Sequence, residues 1–268
     1  MSPSPADLPP SYRLVHLVET QSTNAEAMRL ALAGEAGPLW VLADRQTGGR
    51  GRSGRTWTSE AGNLFASLLI TTHCSAARAG QLSLVAGVAA IDAIREAGLP
   101  AAAYVRLKWP NDILIGTAKA GGILVESSAR SGAAGMVAVV GVGLNLASAP
   151  SELGRDATYL AAHGLALSPD RALCFLAGAM DAWLATWDEG EGFARVREAW
   201  LERAGSLGEL LSVHAGASIV EGRFAGLDAE GALLIAAEDG SEQRFTYGDV
   251  TLTGANADQR TIRDEKGE

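Results

Sequence analysis

The sequence Tyr104-Val-Arg-Leu-Lys-Trp-Pro-Asn-Asp-Ile-Leu-Ile-Gly-Thr-Ala-Lys-Ala-Gly-Gly-Ile-Leu-Val-Glu126 contains short apolar runs separated by turn residues. Runs of this length predict strands at 104–107, 112–115 and 122–126, with one bend at Pro110 and a turn at Gly116-Thr117. Residues 136–146 predict a further strand that forms a hairpin with the one before it. Because hairpins pair strands in opposite directions, we expect a mixed sheet rather than a purely parallel one.

The segments around this stretch alternate between strand and helix patterns. Residues 13–18, 39–43 and 63–72 predict strands, and residues 82–97 and 169–203 have helical periodicity. A helix is expected over 24–33, with Thr23 as its N-cap and Gly34 at its end. Glu26, three residues after Thr23, would complete a capping box. These elements predict an α+β fold, a mixed β-sheet flanked by helices.

The pattern changes after Gly208, where the predicted strands become short. They cover 217–224, 232–237 and 243–247, with turns at 228–231 and 238–240. A meander of this kind predicts a small β-barrel. We therefore divide the chain into a leader at 1–10, a large mixed-sheet domain at 11–208, a barrel at 209–254 and a polar tail at 255–268.

Composition excludes several classes of protein. The chain has 268 residues, 47% hydrophobic residues and a net charge of −9, which argues against broad electrostatic binding to nucleic acid. Cys74 and Cys174 are distant in sequence and belong to no Cys/His cluster, so we expect neither a disulfide scaffold nor a zinc site. No uninterrupted apolar run of about 18 residues is visible, so no membrane span is expected. A reducing cytoplasm fits this composition.

The segment Gly48-Gly-Arg-Gly-Arg-Ser-Gly-Arg-Thr-Trp57 is the first candidate for ligand binding. Glycines let backbone amides approach an anion closely, and arginines donate paired hydrogen bonds to phosphate or carboxylate oxygens. No Gly-Lys-Ser/Thr follows, so this is not a Walker loop. An RNA-binding Arg-Gly segment and a solvated surface loop are the alternatives.

Lysine usage marks two further candidates. The chain contains only three lysines, Lys108, Lys119 and Lys266, although arginines are plentiful. A lysine kept within a motif suggests a compact point charge that a planar guanidinium cannot replace. Lys108-Trp-Pro-Asn-Asp112 would fix one ammonium at a strand end, where it could neutralise charge developing on a phosphorus or carboxylate oxygen. An ordinary turn and chance are the alternatives.

Two polar motifs complete the candidates. In Gly141-Val-Gly-Leu-Asn145, glycines in a strand admit a flat ligand or another backbone, and the Asn145 amide could pair with an adenine edge. Tight core packing explains such glycines equally well. Gln21-Ser-Thr-Asn24 could contact a ligand, although a helix cap is the simpler explanation.

Together and in this order, the motifs resemble those of biotin protein ligases, over about residues 13–253. The resemblance rests on Ser22-Thr-Asn24, the arginine segment with Trp57, Lys108-Trp-Pro-Asn-Asp112, Lys119-x-Gly-Gly-Ile-Leu-Val-Glu126 and Gly141-x-Gly-x-Asn145. It implies a catalytic core related to class II aminoacyl-tRNA synthetases and a C-terminal SH3-like barrel. With about 12 residues before the first strand, it also implies the short, monofunctional type, for which DNA binding is not expected.

The resemblance implies a reaction in two steps. Biotin is activated by ATP, with Mg²⁺ assisting, to biotinyl-5'-AMP, and the biotinyl group then passes to a lysine of a biotin carboxyl carrier protein. The implied catalytic residues are Lys108 and Arg52, with no protein-bound metal site. Implied contacts to biotin come from Ser22, Thr23, Asn24, Gln46, Arg50, Gly51, Arg52, Lys108 and Gly122. Implied contacts to ATP or the adenylate come from Arg55, Trp57, Lys119 and Asn145.

Two other functions remain open from the sequence. A lipoate or octanoate protein ligase or transferase shares the fold, although the Gly-Arg-Gly-Arg segment with Lys-Trp-Pro-Asn-Asp favours biotin. A non-catalytic nucleic-acid-binding module would leave Lys108 and Asn145 unexplained. The resemblance also implies a possible homodimer formed at a sheet edge.

Overall fold

A computed structural model describes residues 8–129, 135–150, 156–216 and 218–253. Most of the predicted leader and all of the predicted tail at 255–268 lie outside these residues. In the described part of the chain, the strands form one 7-stranded and one 5-stranded sheet. The proposed domain division at residue 208 falls between the two sheets and stays a prediction.

The larger sheet is mixed, as predicted. Its strands in spatial order are β1-β2-β3-β7-β6-β5-β4. β1 is parallel to β2, and the remaining neighbours are antiparallel. The strands are β1 (Arg13–Thr20), β2 (Leu39–Gln46), β3 (Leu64–Thr72), β4 (Val105–Lys108), β5 (Asp112–Ile115), β6 (Ala118–Ala129) and β7 (Met136–Leu144).

Alternation along β2 shows how the sheet buries both faces. Leu39 and Val41 pack in a cluster with Ala27 of the first helix, whereas Trp40 and Leu42 belong to a larger cluster on the opposite face. All four side chains are 3% exposed or less. Because successive side chains in a strand point to opposite faces, a continuous apolar strand is needed where helices cover both sides.

The helices are α1 (Thr23–Leu32), α2 (Ala76–Ala79), α3 (Leu82–Glu96), α4 (Pro169–Trp187) and α5 (Phe193–Glu202). The stretch 169–203, predicted to be helical, forms two helices, because the chain breaks at Asp188 and Glu189, which have φ of 46° and 54°. The capping box at Thr23 is also wrong. Ser22 is the N-cap without a side-chain cap bond, and the Glu26 carboxylate accepts from Arg29 instead.

The smaller, C-terminal sheet is antiparallel, with the order β11-β10-β9-β8-β12. Its strands are β8 (Leu210–Ala215), β9 (Ser218–Leu227), β10 (Leu233–Ala236), β11 (Glu242–Phe245) and β12 (Asp249–Leu252). The predicted meander corresponds to β9, β10 and β11, and the sequence reading missed β8 and β12. The indole nitrogen of Trp109, between β4 and β5, donates to the carbonyl of Gly231 at 3.1 Å and so joins the two sheets.

The helical stretch Ala76–Glu96 is the most apolar long helical segment in the part of the chain that the structure describes. Its 21 residues include a window of mean hydropathy 1.3, so by length and composition alone this one helix is long and apolar enough to cross a membrane. Within the protein, however, 67% of that window is buried. α3 packs between the larger sheet and α4 as a core helix, which accounts for its apolar composition.

Candidate active site

The first part of the site is a polar network at the start of α1. Thr23 donates from its backbone nitrogen to Oε1 of Gln46, at the end of β2, over 2.9 Å. The Asn24 amide lies on the backbone of Gly141 in β7, where an added Cβ would overlap the amide oxygen. Ser22, Thr23 and Asn24 are all 5% exposed or less. The start of α1, the end of β2 and the glycine of β7 therefore lie together and form one wall of hydrogen-bonding groups.

The arginine segment folds back on itself above this wall. Gly51 donates to the Arg55 carbonyl at 2.7 Å, and Trp57 donates to the Gly49 carbonyl at 2.9 Å. Ser53 takes the left-handed conformation with φ of 55°. Arg50, Arg52 and Arg55 of this turn all line the same cavity, as expected of an anion-binding loop.

Two of the arginines contact the smaller sheet. Arg52 donates to the Gly248 carbonyl at 3.2 Å, and Arg55 pairs with the carboxylate of Asp249. Burial lowers the pKa of Arg52 below its ordinary value, and the nearby Asp112 opposes this shift. A desolvated guanidinium of this kind binds an entering anion more strongly than a solvated one.

A pair of lysines sharing one carboxylate forms the third part. Lys108 Nζ lies 2.9 Å from one oxygen of Asp112, and Lys119 Nζ pairs with the other. The lysine side chains are each 18% exposed and that of Asp112 is 10% exposed. Burial of Asp112 would raise its pKa, but the charges of Lys119 and Lys108 prevail and hold it below its ordinary range. Lys108 also donates to the Val250 carbonyl at 2.9 Å.

The fourth part surrounds Trp57. Its ring lies against the glycine backbones of two paired strands, so that an added Cβ at Gly143 would lie 2.7 Å from the ring and one at Gly122 3.2 Å. Lys119 Nζ is 5.5 Å from the ring centroid, within range of a cation–π interaction. Asn145 Nδ2 donates to the Thr158 carbonyl at 3.0 Å. The two glycines, which lack side chains, thus leave space on the strands for the flat ring of Trp57.

These parts line a single cavity of about 630 Å³. Its wall includes every residue to which the resemblance assigned a catalytic or binding role: Ser22, Thr23, Asn24, Gln46, Arg50, Gly51, Arg52, Arg55, Trp57, Lys108, Lys119, Gly122 and Asn145. The roles assigned to them individually stay predictions. A volume of this size fits a ligand as large as a nucleotide joined to a small acid.

Sequence reasoning missed other residues of the cavity. Asp112 was quoted within its motif but was given no role, and His214 and Asp249 of the smaller sheet also line the wall. The spacing of Asp112 from two rare lysines was a usable signal. Nothing in the local sequence links residues 214 and 249 to the arginine segment, because that contact depends on how the two sheets pack.

Similarity to known proteins agrees with this geometry. Residues 16–145 match the biotin/lipoate A/B protein ligase family, and residues 212–252 match the biotin protein ligase C-terminal domain. These matches place the fold in the class of proteins that includes the biotin and lipoate protein ligases.

Individual relatives identify the family within this class. The chain is 42% identical over 232 residues to a biotin–[acetyl-CoA-carboxylase] ligase of Paracoccus denitrificans, covering 84% of this chain and 95% of that protein. It is 30% identical to the bifunctional ligase/repressor BirA of Bacillus subtilis, covering 84% of this chain and 70% of that protein. The biotin protein ligase of Aquifex aeolicus, solved with biotin and ATP, superposes with a TM-score of 0.74 at 28% identity, covering 89% of this chain and 97% of that one. The chain belongs to the biotin protein ligase family.

Proposed function

We propose that this protein is an ATP-dependent ligase that activates biotin as biotinyl-5'-AMP and transfers it to a lysine of a biotin carboxyl carrier protein. The observation that carries the proposal is the cavity itself, which joins a neutral hydrogen-bonding wall to a cluster of lysines and arginines. The wall suits a polar, uncharged ureido ring. The cations suit the carboxylate and triphosphate that must meet.

In the first step, a biotin carboxylate oxygen attacks the α-phosphorus of ATP. A bond forms between the carboxylate oxygen and the α-phosphorus. The bond from the α-phosphorus to the oxygen that bridges the α- and β-phosphates breaks, and pyrophosphate leaves with that electron pair. Both reactants are anionic, so the reaction needs preorganised positive charge where they meet. Lys108 and Lys119 supply it, and their common partner Asp112 holds both nitrogens in place before the reactants arrive.

The remaining candidates bind and orient the two substrates. Ser22, Thr23, Asn24 and Gln46 hold the ureido ring. The arginine segment, with Arg50, Gly51 and Arg52, closes over biotin and the adenylate and excludes water that would hydrolyse the mixed anhydride. Gly122 leaves space beside them. Arg55 contacts phosphate, Trp57 stacks near adenine and Asn145 pairs with its edge.

In the second step, the uncharged amine of a carrier lysine attacks the biotinyl carbonyl carbon. An amide bond forms, the carbon–oxygen bond to phosphate breaks, AMP leaves and the amine loses a proton. The same lysines and arginines stabilise the negative charge on the departing phosphate.

Magnesium enters this reaction as part of the nucleotide substrate. Among the residues that the structure describes, no group of three His, Cys, Asp or Glu side chains could hold a metal. Mg²⁺ commonly keeps several waters and is held by phosphates with one or two carboxylates, rather than by a protein cage. The carboxylates on the cavity wall are those of Asp112, Asp156 and Asp249, and one or two of them would hold the Mg²⁺ that offsets the triphosphate charge.

Incubation with biotin, ATP and Mg²⁺, followed by mass spectrometry, tests the proposal directly. We expect biotinyl-AMP and, after addition of a carrier domain, a biotinylated lysine. Thermal-shift measurements with biotin and with lipoate separate the nearest alternative, since only the preferred acid should stabilise the protein strongly. A larger shift with lipoate, and lipoyl-AMP as product, would replace the proposal with a lipoate ligase.

Assembly and location form the outer part of the proposal. We place the protein in the cytoplasm, where carboxylases and ATP are available. A homodimer through an edge of the larger sheet is consistent with β1, which is one of the two terminal strands of that sheet. Light scattering with and without biotin and ATP measures whether two chains associate.

A further inference from the structure

Behind the wall of the cavity, a chain of hydrogen bonds connects Glu126 of β6 to Gln46. The Asn24 amide nitrogen donates to a carboxylate oxygen of Glu126 at 2.8 Å and to the Leu124 carbonyl at 3.2 Å. The Asn24 amide oxygen accepts from the Ser67 hydroxyl at 2.6 Å. Ser67 Oγ also lies 2.7 Å from the Thr23 hydroxyl, and Thr23 in turn contacts Gln46.

Proton counting fixes the direction of this chain. Both hydrogens of the Asn24 amide nitrogen go to acceptors, the Glu126 carboxylate and the Leu124 carbonyl. If the amide were rotated by half a turn, its oxygen would face both of these acceptors. Ser67 donates its one proton to the Asn24 oxygen, so the Thr23 hydroxyl must donate to Ser67. The donor from Thr23 to Gln46 is then its backbone N–H, whose nitrogen lies 2.9 Å from Oε1.

Burial makes this arrangement rigid. Ser67 is 0% exposed and Asn24 is 5% exposed, so neither side chain has water as an alternative partner. The Asn24 amide lies against the backbone of Gly141, so closely that there is no room for a side chain at position 141. Asn24 lines the cavity, whereas Ser67 and Glu126 stand behind it.

We infer that Ser67 and Glu126 are positioning residues that make Asn24 present its oxygen, and not its nitrogen, to the ureido ring of biotin. This inference rests on the proposed function and deepens it. A ureido ring carries two N–H donors and one carbonyl acceptor, so an amide oxygen with an unused lone pair accepts one of those donors. A rotated Asn24 would set donor against donor. Acids of similar chain length that lack the ring gain nothing from the arrangement.

Glu126 selects one orientation of the Asn24 amide, because an ionised carboxylate accepts hydrogen bonds and cannot donate them. Replacing it with glutamine supplies an NH₂ group of nearly the same size, which can face the oxygen of a rotated Asn24. Only the longer bond to the Leu124 carbonyl, at 3.2 Å, would then favour the original direction, so Asn24 would be held less firmly with little change in packing. Ser67→Ala removes the other constraint, the donor to the Asn24 oxygen.

The experiment measures biotin binding by calorimetry without ATP, and the KM for biotin and for ATP in adenylate formation. For Glu126→Gln we expect biotin affinity to fall and its KM to rise by about tenfold, the equivalent of one well-placed hydrogen bond. The KM for ATP, kcat at saturating biotin and the melting temperature should stay near wild type. Glu221→Gln, an exposed strand carboxylate of the smaller sheet, is the matched control and should change nothing.

A double variant tests the direction of the bond itself. In N24D/E126Q the glutamine side chain donates to the carboxylate at position 24, which still offers an oxygen to Ser67 and to the ring. The Leu124 carbonyl loses its donor, so recovery should be partial. We expect Asn24→Asp alone to bind biotin worst, because it faces Glu126, and the double variant to recover at least threefold over it.

Two results would overturn the inference. One is biotin affinity within twofold of wild type in both Glu126→Gln and Ser67→Ala. The other is a parallel change in both KM values and in the melting temperature, which indicates a merely structural role. If the wild-type protein binds biotin with these variant effects yet makes no biotinyl-AMP, the proposed function fails and the positioning role stands. If the wild type does not bind biotin, both fail.

Discussion

At the scale of single residues, Lys108 carries the strongest prediction about chemistry. Lys108→Ala should fold, because Asp112 keeps Lys119 as a partner, and should still bind biotin. Biotin-dependent exchange of pyrophosphate into ATP should fall by about 10²-fold or more, the usual loss when one preorganised donor is removed. Lys108→Arg should restore little, since a planar guanidinium does not fit the place of a compact ammonium.

Lys119→Ala is the comparison that ranks the two lysines. The structure places both nitrogens on the same carboxylate, although the sequence alone favoured Lys108. Near-normal exchange in Lys108→Ala, with loss in Lys119→Ala, would move the central role to the second lysine.

Asp112 makes a prediction about stability and pH. Asp112→Asn leaves two partly buried ammonium groups without their counter-charge, which should cost about 2 kcal/mol at neutral pH. The folded-state pKa of Asp112 lies below its ordinary value of 3.8. Its contribution is therefore complete above that value and is lost as the pH falls through the lower folded-state pKa.

Urea unfolding of the wild type and Asp112→Asn at a series of pH values measures this difference. The gap between their midpoints should be constant at neutral pH and should close under strongly acidic conditions. A gap independent of pH throughout would show that Asp112 acts by packing and not by charge.

At the scale of elements, β7 shows how a strand makes room for a side chain of another element. Gly141→Ala would push its Cβ into the Asn24 amide, which is the end of a side chain and moves more easily than backbone. We expect a modest loss of stability but at least tenfold weaker binding of biotin, about 1.4 kcal/mol. Gly178→Ala in α4 is the matched control, because an added Cβ there meets nothing within 4 Å and should stabilise the helix slightly.

The elements also show what the sequence could and could not predict. Strands β5 and β7 begin at their predicted residues because turn residues mark the start of each one. Strand β12 was missed because it pairs with β8, nearly forty positions earlier in the chain, and no local pattern reports such a partner. β8 was missed although it also pairs with the adjacent strand β9. The cap at Thr23 failed for a related reason, since its hydroxyl is engaged by Ser67 and Gln46.

The candidate site was predicted well where its chemistry lies in unusual local patterns, such as clustered arginines and rare lysines. It was missed where ordinary residues act through tertiary contacts. Ser67 is the one hydroxyl within the apolar run 64–70 of β3, and Glu126 resembles the exposed end of a strand. Only the packing of β3, β6 and α1 shows that both hold the Asn24 amide.

At the scale of the whole molecule, the two sheets share one hydrophobic core. Val213 and Leu233 of the smaller sheet belong to the same buried cluster as Leu107 and Trp200 of the larger part. Polar contacts cross the same boundary, including the buried Arg106, which pairs with Glu209 at 2.9 Å. A core that is continuous across two sheets favours unfolding in a single cooperative step.

We therefore expect amide exchange in urea to give β3 and β9 the same midpoint, with biotin raising both together. The coupling arises because Lys108, which belongs to the cavity, is held by the Val250 carbonyl of β12, so that ligand binding stabilises both sheets at once. Trp109→Phe, which removes the bond to Gly231 but keeps most of the apolar ring, should lower both midpoints equally. Earlier exchange in β9 alone would mean that the barrel at 209–254 is an independently unfolding domain, whose contacts with the lysines and arginines are made only part of the time.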